Sequence, residues 1–462
     1  MPMLGAILTP HPPVLLPEVG RGREQAIAAT GRAMEKAAKT VAQWNPDVLI
    51  IASPHTILYG DYFHIAPGQS AEGSMAAFRA PQVQFTATYD APLRDEIIRR
   101  AENAGLIAGT LGQRDPSLDH GVLIPLYYLR RAGVHCPIVR MGLSGFSSLA
   151  HYRLGQCVAE AVETMGRRAV FVASGDLSHK LKADGPYGFA PEGPVFDEAV
   201  TKAMTSGHFL DFLTMDSSLC ERAAECGLRS FQIMAGALDG LAVQPQLLSH
   251  EGPFGVGYAV ALFPVTGRDE TRRYAAACEH IRKERLQARR AKEDPFVQLA
   301  RLSLQTYIRK GHPLQALPDD LPTELVSHAA GVFVSLHKDG RLRGCIGTTL
   351  PTEKNVAWEI VQNAISAGTR DPRFPAVRAG ELDELTYSVD VLGQPEPVES
   401  PAQLNPKQYG VIVSYGRKRG LLLPDLNGVD TVEQQITIAR QKGGILEDDP
   451  YTLQRFKVVR HL

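Results

Sequence analysis

Three apolar runs in the first half of the chain share one form. Asp47 to Ala52, with Val48-Leu49-Ile50-Ile51 at its centre, ends in Ser53-Pro54-His55. Met3 to Leu8 runs into Thr9-Pro10-His11-Pro12-Pro13, and Ala169 to Ala173 runs into Ser174-Gly175-Asp176-Leu177-Ser178-His179. Branched apolar residues without polar interruption read as strands buried on both faces, the kind that fill parallel sheets. Between the first two lies an alanine-rich helical segment, Arg21 to Trp44, with Ile27, Met34, Ala38 and Val41 on one side. Strand, helix, strand is a right-handed parallel unit by strong preference. The pattern goes on with an alternating strand at Val83–Thr88, helices at Pro92–Asn103, Val122–Arg131 and Ser148–Met165, and a strand at Pro137–Met141. Pro194 to Gly240 is mostly helical, and Pro245–Glu251 with Gly255–Phe263 closes the region as a strand pair.

The pattern changes at Gly267. Arg268 to Asp294 is dense in Arg, Lys and Glu, and reads as an exposed connecting helix or a flexible linker. From Pro295 a helix opens, followed by a hairpin over Gly331–Gly347 that turns at Lys338-Asp339-Gly340-Arg341. A helix at Glu353–Ala367, a strand at Thr386–Leu392, and a second hairpin at Tyr409–Leu423 turning at Gly416-Arg417-Lys418-Arg419-Gly420 follow. A helix at Thr431–Gln441 and one terminal strand, Tyr451–Val459, finish the chain. Hairpins with helices segregated between them define an α+β domain. Two domains result, 1–266 and 295–462, joined by the charged segment 267–294.

Composition narrows the classes. A chain of 462 residues exceeds one ordinary core, and its formal charge of -1 gives no reason to expect nucleic acid as a partner. No apolar run approaches the ~18 residues of a membrane span, and no export signal opens the sequence. The six cysteines, at 136, 157, 220, 226, 278 and 345, form no CxxC pair, which suits thiols in a reducing cytoplasm.

The candidate chemistry lies at the strand exits. In open α/β sheets the carboxyl ends of the strands are where ligands bind, and His11, His55 and His179 are all delivered there. Two imidazoles and a carboxylate with open positions suit non-haem Fe(II). His11 and His55 supply the imidazoles, and Glu251, at a strand end before a Gly-Pro turn, is the leading carboxylate, with Asp119, Asp176 and Asp61 as rivals. His179 and His120 then stand beside the metal or act as acid and base, and Asp176 orients an imidazole. His64, His135, His151, His208 and His250 read as structural, with His250 a spare ligand. In the second domain Cys345 lies between glycines, where Arg343 could favour thiolate. A nucleophile, a redox thiol, a radical relay and a small packed side chain are all open for it. Arg417, Lys418 and Arg419, with Arg370 and Arg373, are either solvated or an anion or partner site.

The first region resembles the LigB-like family of class III extradiol ring-cleavage dioxygenases and the related Memo proteins over about residues 1–265. The motifs that carry this are Thr9-Pro10-His11, Ser53-Pro54-His55, Leu118-Asp119-His120-Gly121 and Ser174-Gly175-Asp176-Leu177-Ser178-His179. The resemblance implies an α/β sandwich with a largely parallel central sheet and Fe(II) on His11, His55 and Glu251, with Zn or another divalent metal as alternatives. It also implies His179 as base and His120 beside the oxygen and substrate site. In Memo proteins a cysteine takes the third ligand position, and with no cysteine near Glu251 the glutamate version is expected. The second region, about 295–462, resembles the AMMECR family through Arg341-Leu342-Arg343-Gly344-Cys345-Ile346-Gly347 and Arg370-Asp371-Pro372-Arg373-Phe374-Pro375. Expected is an extradiol-dioxygenase-like oxidoreductase acting on a catechol-like or other chelating small molecule. The alternative is a non-dioxygenase partner or scaffold of a radical S-adenosylmethionine protein, as in the AmmeMemoRadiSam system. Self-association into a homo-oligomer stays open.

Overall fold

Four strands buried along all or nearly all of their length lie parallel at the heart of the first half: β1 (Met3–Thr9), β2 (Val48–Ser53), β3 (Ile138–Gly142) and β4 (Ala169–Ser174). The computed structural model describes residues 2–112, 115–426 and 428–462. Further along, β5 (Leu241–Val243), β6 (Gln246–Glu251) and β7 (Tyr258–Arg268) extend the sheet in antiparallel fashion to the order β6-β7-β1-β4-β2-β3, with β5 on β7. The sheet is mixed and mostly parallel, as the apolar runs predict.

Alternation along each strand divides its side chains between two cores. Ala6, Leu8, Ile50 and Ala52 face one side, against helices Ser148–Thr164 and Leu228–Ala237. Ile7, Leu49 and Ile51 face the other, against helices Ala28–Trp44 and His120–Arg131. Each branched side chain so enclosed contributes roughly 1.5–3 kcal/mol. That is why β1, β2 and β4 carry no polar residue until their carboxyl ends. The one charged residue inside β3, Arg140, is buried with its guanidinium donating to the Ser117 and Pro116 carbonyls. Because the four central strands run the same way, Thr9, Ser53 and Ser174 all finish at one edge, with Thr9 beside Ser174 in register.

The first long helix begins later than its alanine content suggests, at Ala28. Arg21 and Gly22 both have positive φ, 50° and 99°, and a short 3-10 turn, Arg23–Ile27, leads in. The charged segment contains the helix Ala275–Arg290. The chain divides within it into two compact units, Met1–Lys283 and Glu284–Leu462.

The second unit holds two four-stranded antiparallel sheets. One has the order β9-β8-β10-β15, from β8 (Val332–Lys338), β9 (Arg341–Gly347), β10 (Leu385–Leu392) and β15 (Val458–His461). The other has the order β11-β14-β12-β13, from β11 (Glu396–Val398), β12 (Gly410–Tyr415), β13 (Lys418–Leu422) and β14 (Thr452–Phe456). Helices Pro295–Lys310 and Val356–Thr369 cover the first sheet, and Val432–Gly443 covers the second. Asp339 and Gly340 take positive φ, 52° and 77°, as a two-residue hairpin turn requires.

Two expectations need correction here. The second hairpin turns over Gly416 and Arg417 alone, so Lys418, Arg419 and Gly420 belong to β13 and not to its tip. The terminal segment is two strands, one in each sheet, parted at Lys457.

Candidate metal centre

The edge where the parallel strands end gathers a cluster of histidines. His11 follows β1 and is buried; its Nε2 lies 3.0 Å from His55 Nε2, which follows β2 and is exposed. His120 opens the helix His120–Arg131, and its ring sits over His55 with centroids 3.9 Å apart and a tilt of 35°. One ligand nitrogen from each of these three rings lies within 4.8 Å of the others, the one group of its kind among the described residues. Phe78 packs edge-on against His120, 5.2 Å between centroids.

The loop after β4 closes the other side. The His11 amide donates to Asp176 Oδ1 at 2.9 Å, and Asp176 Oδ2 is 3.9 Å from His11 Nε2. Cys226, from the connection ahead of helix Leu228–Ala237, brings its Sγ to 3.7 Å from His11 Nε2, and the Asp176 amide donates to that sulfur. This approach depends on two glycines. A Cβ on Gly175 would lie 2.1 Å from Gly227 Cα, so only bare backbone lets the two loops touch. His179 stacks on Tyr187 at 5.0 Å, and its Nε2 is buried without a hydrogen-bond partner.

Burial sets the charge state of the cluster. It holds His11 to a pKa of about 3, with the neighbouring His55 adding to the effect. It likewise brings His120 to about 3, helped by His55 and His11, and lowers His179. Burial raises Asp176 to about 6 and pushes the Cys226 thiol well up. Neutral imidazoles offer lone pairs, while burial makes ionising costlier for the carboxyl and the thiol, a cost that a positive charge beside them would offset. Such a donor set is suited to a cation. The 3.0 Å between the His11 and His55 nitrogens is also a natural spacing for two ligands each about 2.1 Å from one shared ion. Imidazole, thiol and carboxylate together suit a borderline divalent metal.

Glu251 is placed elsewhere. Its Oε2 accepts from the Thr30 amide at 2.8 Å and from Thr30 Oγ1 at 2.6 Å, in the first turn of helix Ala28–Trp44. Free N–H groups and the positive end of the helix dipole draw the carboxylate there. Asp119 is similarly committed, accepting from Ser53 Oγ and Thr56 Oγ1, and so ties the His55 loop to the His120 helix. His250 pairs with Asp197 at 2.8 Å, outside the cluster. His151 accepts from the Ser144 amide, as a structural histidine would. Cys226, in the sequence one scattered thiol among six, is brought beside His11 by the fold, and the glycine that follows it is the local signal.

Cys345, in β9, receives a hydrogen bond from Ser335 Oγ at 3.2 Å. Arg343 does not serve it: the guanidinium is held by both oxygens of Glu381 and by the Pro375 carbonyl. Arg373 is nearer, donating to the Cys345 carbonyl while gripping Asp371, whose carboxyl it holds far below the usual range.

The fold is a mixed α/β sheet whose strand exits gather imidazoles, a thiol and a carboxyl, a donor set able to hold a cation. Comparison with known proteins supplies the family. A family model described as the catalytic LigB subunit of aromatic ring-opening dioxygenase matches residues 5–261, and the AMMECR1 model matches 297–461. The chain belongs to the LigB family and carries an AMMECR1 domain behind it. A protein of Clostridium acetobutylicum is 40% identical over 477 residues, covering 100% of this chain and 99% of that relative. A Thermotoga maritima protein is 53% identical over 172 residues, 37% of this chain and 98% of its own length. Among solved structures, an uncharacterized protein of Pyrococcus horikoshii aligns with TM-score 0.33 and 31% identity, covering 36% of this chain and 88% of that one. No helix among the described residues is long and apolar enough to cross a membrane.

Proposed function

We propose that the N-terminal domain holds one divalent metal, Fe(II), on His11 Nε2 and His55 Nε2, and acts on a small chelating molecule of the catechol type. Cys226 Sγ, which stands beside His11, closes in as the third ligand when the ion binds. The observation that carries this is the crowding on His11 Nε2, with His55 nitrogen at 3.0 Å and Cys226 sulfur at 3.7 Å. When bound, the metal supplies Lewis acidity and a place for dioxygen and substrate to meet. The chain supplies the rest. His55, exposed on the solvent side, leaves an entry. His179, neutral and with Nε2 unpartnered, is the base that takes a proton from a substrate hydroxyl. Asp176 holds the His11 backbone in place.

A specific observation favours a second ligand set, since the three rings of His11, His55 and His120 lie within reach of one ion. Substituting cobalt separates the two. Cys226→Ser should abolish a sulfur-to-metal absorption band and His120→Ala should keep it; a wild-type cobalt protein with no such band, whose cobalt is lost in His120→Ala and kept in Cys226→Ser, selects the three-histidine set. For activity, anaerobically iron-loaded protein is given catechols and oxygen, and yellow ring-opened product is followed. His179→Ala should keep its metal and lose turnover. If no catechol in a broad panel is consumed, the ring-opening reading fails. The fused AMMECR1 domain then supports the other role, a partner of a radical S-adenosylmethionine protein.

A further inference from the structure

Helix His120–Arg131 contains a proline at 125. In an unbroken helix the Gly121 carbonyl accepts from the N–H four residues on; at 125 there is none to give. That carbonyl instead accepts the hydroxyl of Ser174, at 2.6 Å. Ser174 is fully buried and has a single proton, which is committed, because a carbonyl oxygen only accepts. Ser174 Oγ also lies 2.9 Å from His11 Nδ1. With its proton turned to Gly121, the hydroxyl meets His11 as an acceptor, so Nδ1 carries the ring proton. A neutral imidazole has only one N–H. Nε2 is therefore the bare nitrogen, and it is the atom that faces His55 and Cys226. The opposite arrangement would set two oxygens 2.6 Å apart with no proton between them, and would block Nε2 with its own hydrogen.

We propose that Pro125, acting through the Gly121 carbonyl and Ser174, locks His11 into the tautomer that presents Nε2 as a metal ligand. Ser174 is a positioning residue, and the inference rests on the reading that the metal sits at Nε2. The strap joins three elements that lie far apart in sequence: the exit of β1, the end of β4 and the first turn of a helix. Metal-binding histidines commonly have their second nitrogen fixed in this way, and losing the partner costs about ten- to a hundredfold in affinity. Here the partner is itself oriented by a carbonyl that a proline leaves without its helical donor.

The test uses the full chain with nitrogen-15-labelled histidine, and reads ring tautomers by long-range proton–nitrogen spectra of the metal-free protein. His11 is identified by the signals missing in His11→Asn. Zinc affinity is measured in parallel by competition with a chromophoric chelator, and thermal melts establish that each variant is folded. Wild type should show His11 protonated at Nδ1 alone. Ser174→Ala should mix the tautomers and weaken zinc at least about tenfold, Pro125→Ala should do so less, and Ser174→Thr, which keeps the hydroxyl, should restore both. A Ser174→Ala protein with the wild-type tautomer, or with zinc affinity within about twofold of wild type, overturns the proposal. Wild-type protein that binds no zinc sinks the metal reading instead, and the tautomer spectra still decide this one.

Discussion

Glu251 is the sharpest point of difference between strand-end reasoning and the folded chain, and replacing it separates a ligand from a helix anchor. Its Oε2 takes two hydrogen bonds from Thr30, at 2.8 and 2.6 Å. Hydrogen bonds to a charged group are worth about 1.5–3 kcal/mol each, against about 1 for neutral pairs. A carboxylate at a helix N-terminus adds ~0.3–1 kcal/mol. Glu251→Gln keeps an acceptor oxygen and loses the charge, so it should cost about 2 kcal/mol, and Glu251→Ala about 3. For a domain of this size about 2 kcal/mol lowers the melting midpoint by about 5 °C. The assay pairs a thermal melt with elemental analysis of anaerobically loaded protein. The expected outcome is a lower midpoint for the N-terminal transition with metal content unchanged. A Glu251→Gln protein that melts like wild type and has lost its metal would refute the reasoning, and would return Glu251 to the ligand set.

Further outcomes follow from other contacts. Gly175→Ala drives a methyl to 2.1 Å from Gly227 Cα; it should destabilise the N-terminal domain by about 3 kcal/mol and weaken metal binding by moving Cys226, both read on purified protein. His64 is fully buried, neither ring nitrogen is bonded, and burial with the nearby Arg140 lowers its pKa from 6.5 to about 4. The unfolded chain takes up that proton first, so its share of stability is whole above pH 6.5 and is lost as pH falls toward 4; denaturant titrations of His64→Leu should lose this part of the acid slope. Arg343→Ala should cost about 1–2 kcal/mol through the Glu381 pair, while alkylation of Cys345, followed by mass spectrometry, keeps its rate. A large fall in that rate would restore Arg343 as the thiol's partner.

Much of this architecture is legible because the strands are buried on two faces. Val48 to Ile51 can be little else, and a proline directly after each of Thr9 and Ser53 marks where the strand must stop. Those stops place His11 and His55 at one edge. Glu251 also sits at a strand end, but nothing local announces that the first turn of a distant helix waits for its carboxylate. Cys226 is hidden for the complementary reason. It belongs to no periodic element, and what carries it to His11 is the contact of Gly175 with Gly227 across a long loop. The end of the chain misleads through continuity: Thr452 to His461 reads as one strand, and only the competing demands of two sheets divide it at Lys457.

The two leading histidines differ in exposure: residue 55 is open to water and residue 11 is enclosed. If the proposed ion binds between them, it would meet the outer ring first and the inner ring would complete the hold. Loss of the outer ring should chiefly slow uptake, whereas loss of the inner one should chiefly shorten the time the ion stays. Stopped-flow mixing resolves the two, because one changes the rate of arrival and the other the rate of escape.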